Sequence, residues 1–225
     1  MKLSVIVPTL NEEAVIAQTL RRAVEALVPH ELILADGCST DHTADLARPY
    51  ATVLSLSLTR GASLNRAAAI ATGDVLVFLH ADTMVPLGAA EAIDRALQDV
   101  DVIGGAFQLR FDDPGLLSAL LSRHVNFRSS FANSFFGDQA LFVRREVFVR
   151  VGGFKDWSVM EDKEILERLR PHGRLALLDE AVVTSARRHR RNGWVKTVGT
   201  VWIMTLLHSI GVSGEAMKRW YKPER

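Results

Sequence analysis

Over the first hundred residues, apolar runs and helical patterns alternate, which narrows the architectures this chain can adopt. Four short runs, at residues 3–7, 31–35, 52–58 and 75–79, are apolar and largely β-branched, as buried strands are. Helical spacing separates them. Between residues 11 and 27, Val15, Ile16, Leu20, Ala23, Val24 and Leu27 recur on one face. TDHTADLA reads as a short helix with Thr40 or Asp41 at its N-cap. Residues 61–72 are alanine-rich and stop at Gly73, and residues 86–97 form another helix. Such alternation calls for right-handed βαβ units around a parallel sheet.

After residue 100 the alternation fails. DVIGGAFQLRF reads as a longer strand, taken to run antiparallel, and PGLLSALLSRH as a short helix. QALFVRREVFVRVGGF runs strand into helix into a Gly-Gly turn. No linker, repeat or low-complexity stretch divides the chain. The expectation is one α/β domain: a nucleotide-binding half (residues 1–100), an acceptor half (101–197) and a C-terminal helical tail (198–225).

Composition excludes some functions. Lys and Arg total 27 against 26 Asp and Glu, so overall charge points to no nucleic-acid partner. The single cysteine, Cys38, rules out an internal disulfide and fits a reducing compartment. No basic-then-apolar leader and no apolar run of about 18–20 residues occurs. The expected location is cytoplasmic, with the inner membrane face as an alternative.

Carboxylates end the apolar runs, and in open α/β sheets ligands bind at the carboxyl ends of strands. Asp36 can accept from a base or ribose, although Asp-Gly is also a common strand-to-helix turn. His80 and Asp82 stand two apart, so in an extended segment both side chains point to one side, a candidate metal pair. One or two carboxylates with substrate phosphates suit Mg2+, and a histidine nitrogen favours Mn2+. Glu161 and Asp162 open a helix whose apolar face is Ile165, Leu166 and Leu169. The helix dipole favours acids there regardless, yet such a carboxylate is a usable general base. Arg187, Arg188 and Arg190 lie in a basic run that suits a diphosphate, or is simply a solvated face. A missing GxGxxG after the first run removes most of the case for a nicotinamide dehydrogenase, and the absence of further glycines after Asp36 counts against a methyl-donor site.

Taken in order, SVIVPTLNEE, ADGCSTDHT, RGASLNRAAAIATGDVLVFLHADT, GDQALFVRREVFVRVGGF and MEDKEILERL resemble the family 2 glycosyltransferases, inverting enzymes of the GT-A fold. The likeness spans about residues 3–190, and the HADT form and GDQ block look most like a bacterial subgroup. It implies a GT-A fold with a mainly parallel central sheet, an antiparallel portion and flanking helices. The implied reaction moves a sugar from a nucleotide diphosphate sugar, UDP-linked first and GDP-mannose second, to an acceptor hydroxyl. Pro8, Thr9, Asn11, Glu12, Asp36, Gly61, Asn65 and Asp82 would surround the nucleotide. Asp82, with His80, would hold Mn2+ or Mg2+; Asp162, or Glu161 beside it, would be the base; Asp138 and Gln139 would meet the acceptor. The family commonly has acids at both ends of its metal motif, where this chain has His80 first. A nucleotidyltransferase is the rival, but PTLNEE lacks the glycine- and lysine-rich loop it needs; a non-catalytic sugar-nucleotide-binding module is the third reading.

Two segments carry no settled role. Residues 107–142 hold seven phenylalanines (107, 111, 127, 131, 135, 136 and 142), read as core or as an apolar acceptor cleft. Residues 198–212 are apolar without Lys or Arg, followed by Lys218, Arg219, Trp220, Tyr221 and Lys222. Packing on the domain's own core or in a homodimer is ranked ahead of contact with a membrane bearing a lipid-linked acceptor.

Overall fold

The structure is a computed structural model and describes residues 1–132 and 135–218. The chain runs through β1 (Leu3–Thr9), α1 (Ile16–Leu27), β2 (Glu31–Asp36), α2 (Thr43–Ala47), β3 (Thr52–Ser55), α3 (Arg60–Ile70), β4 (Val75–Phe78), β5 (Thr83–Met84) and α4 (Ala89–Leu97). Its second half contains β6 (Val102–Phe111), α5 (Leu116–Ala132), β7 (Leu141–Arg144), α6 (Arg145–Arg150), α7 (Glu161–Leu169), β8 (Arg174–Thr184), α8 (Arg187–Asn192), α9 (Trp194–Ser209) and α10 (Gly214–Met217).

One sheet takes all the described strands, in the order β3-β2-β1-β4-β7-β6-β8-β5. β3, β2, β1 and β4 pair parallel, as expected from the alternation. The reversal comes at β7, which pairs antiparallel with both β4 and β6. The strand taken to be antiparallel, β6, therefore runs in the direction of β1 and β4, and β8 lies parallel to it. Neither β8 nor the short β5, which closes the far edge antiparallel to β8, shows in the apolar pattern of the sequence.

Strand side chains alternate between two apolar layers, as the period of two requires. Val5 and Val7 pack with Leu20 and Leu27 of α1 and Ile93 of α4. Ile6 and Phe78 face the other way, onto Leu64 of α3, Phe148 of α6 and Ile165 of α7. Helices thus cover both faces of the sheet, the arrangement that buried, continuously apolar strands demand.

Several boundaries differ for local reasons. Helix α1 begins at Ile16, not residue 11, because Asn11 has φ 55° and its N–H donates to Ser39 Oγ at 2.9 Å, while Glu12 N–H donates to Thr43 Oγ1 at 2.7 Å. His42 occupies the N-cap of α2; Asp41 still accepts from Thr43 N–H, at 3.0 Å. Helix α3 turns extended at Ala71, so Gly73 does not end it. Gly73 instead allows β1 to pass close by, since a Cβ there would lie 2.6 Å from Ser4 Oγ. Helix α5 continues to Ala132, well past the short helix expected.

The phenylalanines divide. Phe107, Phe135 and Phe142 are fully buried, whereas Phe127 and Phe131 are exposed. Helix α9 packs on the domain in part: Thr197 and Met204 are buried, Met204 with Val159 and Met217, while Val195, Trp202 and Leu206 stay exposed. Arg219, Trp220, Tyr221 and Lys222 lie outside the described residues. No helix among the described residues is long and apolar enough to cross a membrane.

Candidate functional site

Three parallel strands deliver their ends to one edge. Thr9 and Asp36 are register partners at the ends of β1 and β2, and Thr9 Oγ1 donates to Asp36 Oδ1 at 3.2 Å. Asp36 is 1% exposed and also accepts from Ser39, from its N–H at 2.9 Å and its Oγ at 2.5 Å. Asn11 closes the same lattice by accepting Thr40 N–H at 2.8 Å. Asp36 therefore sets the shape of the loop edge beside Pro8 and Thr9.

After β4 the chain does not stay extended. Thr83 N–H donates to His80 O at 3.2 Å, closing a turn over residues 80–83, so His80 and Asp82 do not share a direction. His80 Nε2 lies 2.5 Å from Arg60 Nη2. Arginine only donates, so Nε2 is the acceptor and the imidazole is neutral. Burial first, then the Arg60 charge, hold the His80 pKa well below the usual histidine range. In this arrangement the lone pair with which His80 would coordinate a metal is engaged by Arg60. Arg60 continues to Glu161, Nε to Oε1 at 2.6 Å, and forms a His80–Arg60–Glu161 chain beneath the edge.

Because β7 is reversed, Leu141 pairs with Phe78, and the segment entering β7 arrives at the carboxyl edge of β4. That segment is the 3-10 turn Gly137–Gln139. Gly137 N–H donates to Asp162 Oδ2 at 2.6 Å, and a Cβ on Gly137 would lie 2.6 Å from His80 Nε2. A side chain at position 137 would push His80 aside. Glu161 and Asp162, in the first turn of α7, thus reach the same edge as Asp82 although about eighty residues separate them. The Glu161 carboxyl is pushed up to about 7 by burial, against Arg60, with Asp162 adding to the rise.

The two residues expected to meet the acceptor differ. Asp138 Oδ1 is buried without a hydrogen-bond partner, and burial, then the Asp162 charge, push its carboxyl up to about 7. Gln139 faces inward: Nε2 donates to Phe107 O at 3.0 Å, while Oε1 accepts from Ser129 Oγ at 3.1 Å and Phe136 N–H at 3.2 Å. Its amide is used up within the fold. A residue that the sequence reading missed joins Asp138. Arg128 of α5 stacks its guanidinium 4.2 Å over the Phe136 ring and acts electrostatically on Asp138 and Asp162. Its Nε and Nη2 are buried without hydrogen-bond partners among the described residues. It sits in no motif, and in a phenylalanine-rich stretch only folding could have singled it out.

Asp82 turns toward Arg187, whose Nη2 lies 4.0 Å from Asp82 Oδ2 and 2.7 Å from Glu12 Oε2. Burial, then the Glu12 charge, raise the Asp82 carboxyl. Arg190 points elsewhere, to Asp112 at 3.3 Å and Asp113 at 3.6 Å, and Arg188 accompanies them on α8. Asn65 accepts Phe154 N–H at 2.8 Å and donates to Phe154 O at 2.7 Å, tying α3 to the Gly152–Gly153 turn. Gly61 lets residues 155–157 approach α3, since a Cβ there would strike Lys155 O at 2.0 Å.

Among the described residues, no three His, Cys, Asp or Glu side chains form a ready metal cluster. The donor set that remains is Asp82 beside Glu12. A partly exposed carboxylate that substrate phosphates can join fits Mg2+ or Mn2+, which keep few protein ligands.

A sequence profile of the family described as Glycosyl transferase family 2 matches residues 4–155. The chain is 29% identical over 248 aligned positions to a PGL/p-HBAD biosynthesis glycosyltransferase of Mycobacterium bovis (strain BCG / Pasteur 1173P2), covering 89% of this chain and 94% of that one. It is 25% identical over 195 residues to "Probable glycosyltransferase YdaM" of Bacillus subtilis (strain 168), covering 75% of this chain but 46% of that one, so it spans about half that relative's length. In structure it is similar to S. aureus TarS (TM-score 0.65, 20% identity, 82% of this chain and 37% of that chain). It also resembles the mannosyltransferase PcManGT of Pyrobaculum calidifontis, solved with GDP-Man and Mn2+ (TM-score 0.61, 24% identity, 81% and 56%). These likenesses show the GT-A fold.

Proposed function

Because this chain belongs to glycosyl transferase family 2, we propose that it moves a sugar from a nucleotide diphosphate sugar to an acceptor hydroxyl, with inversion and with Asp162 as general base. The observation that carries this reading is the meeting of Asp162 with Gly137 and His80 at the edge where Asp82 stands in the turn between β4 and β5. An acceptor hydroxyl placed against Asp162 loses its proton to the carboxylate while its oxygen attacks the anomeric carbon from the face opposite the diphosphate. Gly137 N–H fixes one Asp162 oxygen at 2.6 Å and so aims the carboxylate. Glu161 is already engaged by Arg60, which makes it a positioning residue for Arg60 and His80.

The donor pyrophosphate lies, in this reading, between the Asp82 turn and Arg187, where negative charge develops as the bond breaks. A divalent ion on Asp82 would neutralise that charge. Arg187 shields Glu12 and Asp82 from each other and is the cation of the basic run placed to follow the leaving group. UDP-sugars remain the first choice of donor and GDP-mannose the second. TarS has been solved with UDP-GlcNAc and PcManGT with GDP-Man and Mn2+, and both nucleotide sugars belong to this donor class. Asp138 is the acceptor-facing residue, with Arg128 behind it, and Gln139 holds their turn in place. Family membership ranks the nucleotidyltransferase reading below this one, and no observation favours the non-catalytic module.

The test is release of nucleoside diphosphate from a panel of UDP- and GDP-sugars, with and without Mn2+ or Mg2+. Metal-dependent release of UDP or GDP that Asp162→Asn slows supports the reading. Release of pyrophosphate from a nucleoside triphosphate and sugar phosphate, with no turnover of any sugar nucleotide, refutes it.

A further inference from the structure

Helices α5 and α9 carry a surface that the transfer reaction does not use. On α5, Leu116, Leu120, Phe127 and Phe131 recur at helical spacing and are all exposed, Phe131 at 85%. On α9, Val195, Trp202 and Leu206 form a second exposed stripe. The stripes meet: His124 of α5 stacks on Trp202 of α9 with ring centroids 5.7 Å apart. Phe127 and Phe131 stack on each other at 5.8 Å, in solvent. Contiguous exposed aromatic and aliphatic side chains on this scale mark a contact surface.

Its charge is one-sided. Residues 114–132 and 185–214, which contain α5, α8 and α9, include no Asp or Glu. Acids from neighbouring elements reach only some of their cations and His208: Asp112 and Asp113 hold Arg190, Glu12 holds Arg187, and Glu167 meets His208. Arg123, Arg191 and Lys196 are exposed and have no ion pair among the described residues.

We propose that the α5–α9 surface seats the protein on an anionic lipid bilayer, with the apolar stripes entering the headgroup boundary and Arg123, Arg191 and Lys196 meeting lipid phosphates. An interfacial helix needs an apolar face and nearby cations, which here come from neighbouring helices as well as its own. A second copy of the chain fits less well. A symmetric dimer brings the same patch against itself, and this patch would set cations against cations with no acid to receive them.

The experiment is flotation of the full chain with vesicles of equimolar phosphatidylglycerol and phosphatidylcholine, and with phosphatidylcholine alone. Each cation near such a surface changes partitioning about fivefold. The expected result is binding to the anionic vesicles, weakened by salt and reduced about tenfold or more in an Arg123→Glu, Lys196→Glu double variant. Leu206→Asp with Phe131→Asp should lose binding while keeping the parent's circular dichroism and melting curve, since both side chains are exposed. Three results overturn the proposal: no binding by the parent chain, equal binding by parent and variants, or a dimer in sedimentation that Leu206→Asp dissolves while vesicles are ignored.

Discussion

Gly137 donates its N–H to Asp162 Oδ2 at 2.6 Å while leaving no room for a side chain against His80. One glycine thereby joins the turn before β7, the end of β4 and the start of α7. Gly137→Ala is expected to fold, because the obstructing atom belongs to a side chain that can shift, but to move His80 and loosen the hold on Asp162. A displacement of about 1 Å can cost about 10²-fold in rate. Turnover should fall about ten- to a hundredfold with little change in melting temperature.

Asp162→Asn should lower kcat by about 10²–10⁴ and leave nucleotide affinity near that of the parent. Glu161→Gln keeps a neutral acceptor for Arg60 and should lose about tenfold or less. Comparable losses in both, measured in one donor-turnover assay, would mean that the two acids act as a unit; a larger loss for Glu161→Gln would reverse the assignment.

Asp138 gives a pH signature. Its carboxyl is raised to about 7 in the fold from an ordinary value of 3.8, by burial and by Asp162. Between those values the folded state holds a proton that the unfolded chain has released, so this residue lowers stability as pH rises through about 4 to 7. Above 7 the loss is complete. Asp138→Asn has nothing to ionise, so its stability relative to the parent should climb over that window and level off beyond it. Urea unfolding at pH 5 and pH 8 reads the difference, and a smaller relative gain at pH 8 would count against this environment.

Gln139→Leu separates structure from acceptor binding. It removes the side-chain partner of Phe107 O and Phe136 N–H, and a buried polar group left unpaired costs about 1–3 kcal/mol. A lower urea midpoint with an unchanged acceptor KM is expected. The opposite pattern would restore Gln139 to the acceptor site.

Metal dependence should follow Asp82 and not His80. Excess chelator is expected to abolish turnover, added Mn2+ or Mg2+ to restore it, and Asp82→Ala to remove the response. His80→Gln should keep its dependence on the ion while losing turnover through Arg60. Wild-type activity of Asp82→Ala in chelator would remove the ion from the reaction.

The parallel half of the sheet was legible because each buried strand there is a continuous apolar run with its helix beside it in sequence. Val5, Val7 and Leu20 meet through a short connection, and Asp36 falls at the end of β2, with Asp82 shortly after β4, by local pattern alone. The order of motifs was enough to point to the family. Tertiary structure decided what distance in sequence conceals. The reversal of β7 cannot be read from LFVR, since a short apolar run pairs equally well in either direction, and it is this reversal that carries Gly137 to Asp162. The turn at residues 80–83 and the arrival of Arg60 took His80 away from Asp82, because a ring nitrogen two residues from a carboxylate goes to whichever partner folding brings. Gln139 and Asp138 are adjacent and polar, yet only packing against Phe107 and α5 turned one inward and left the other without a partner beside Arg128. Likewise the sequence left the apolar residues of α5 between core and acceptor cleft and those of α9 between own core, dimer and membrane; which apolar face finds a neighbour depends on the area the rest of the fold offers, and Phe127, Phe131, Trp202 and Leu206 stay exposed.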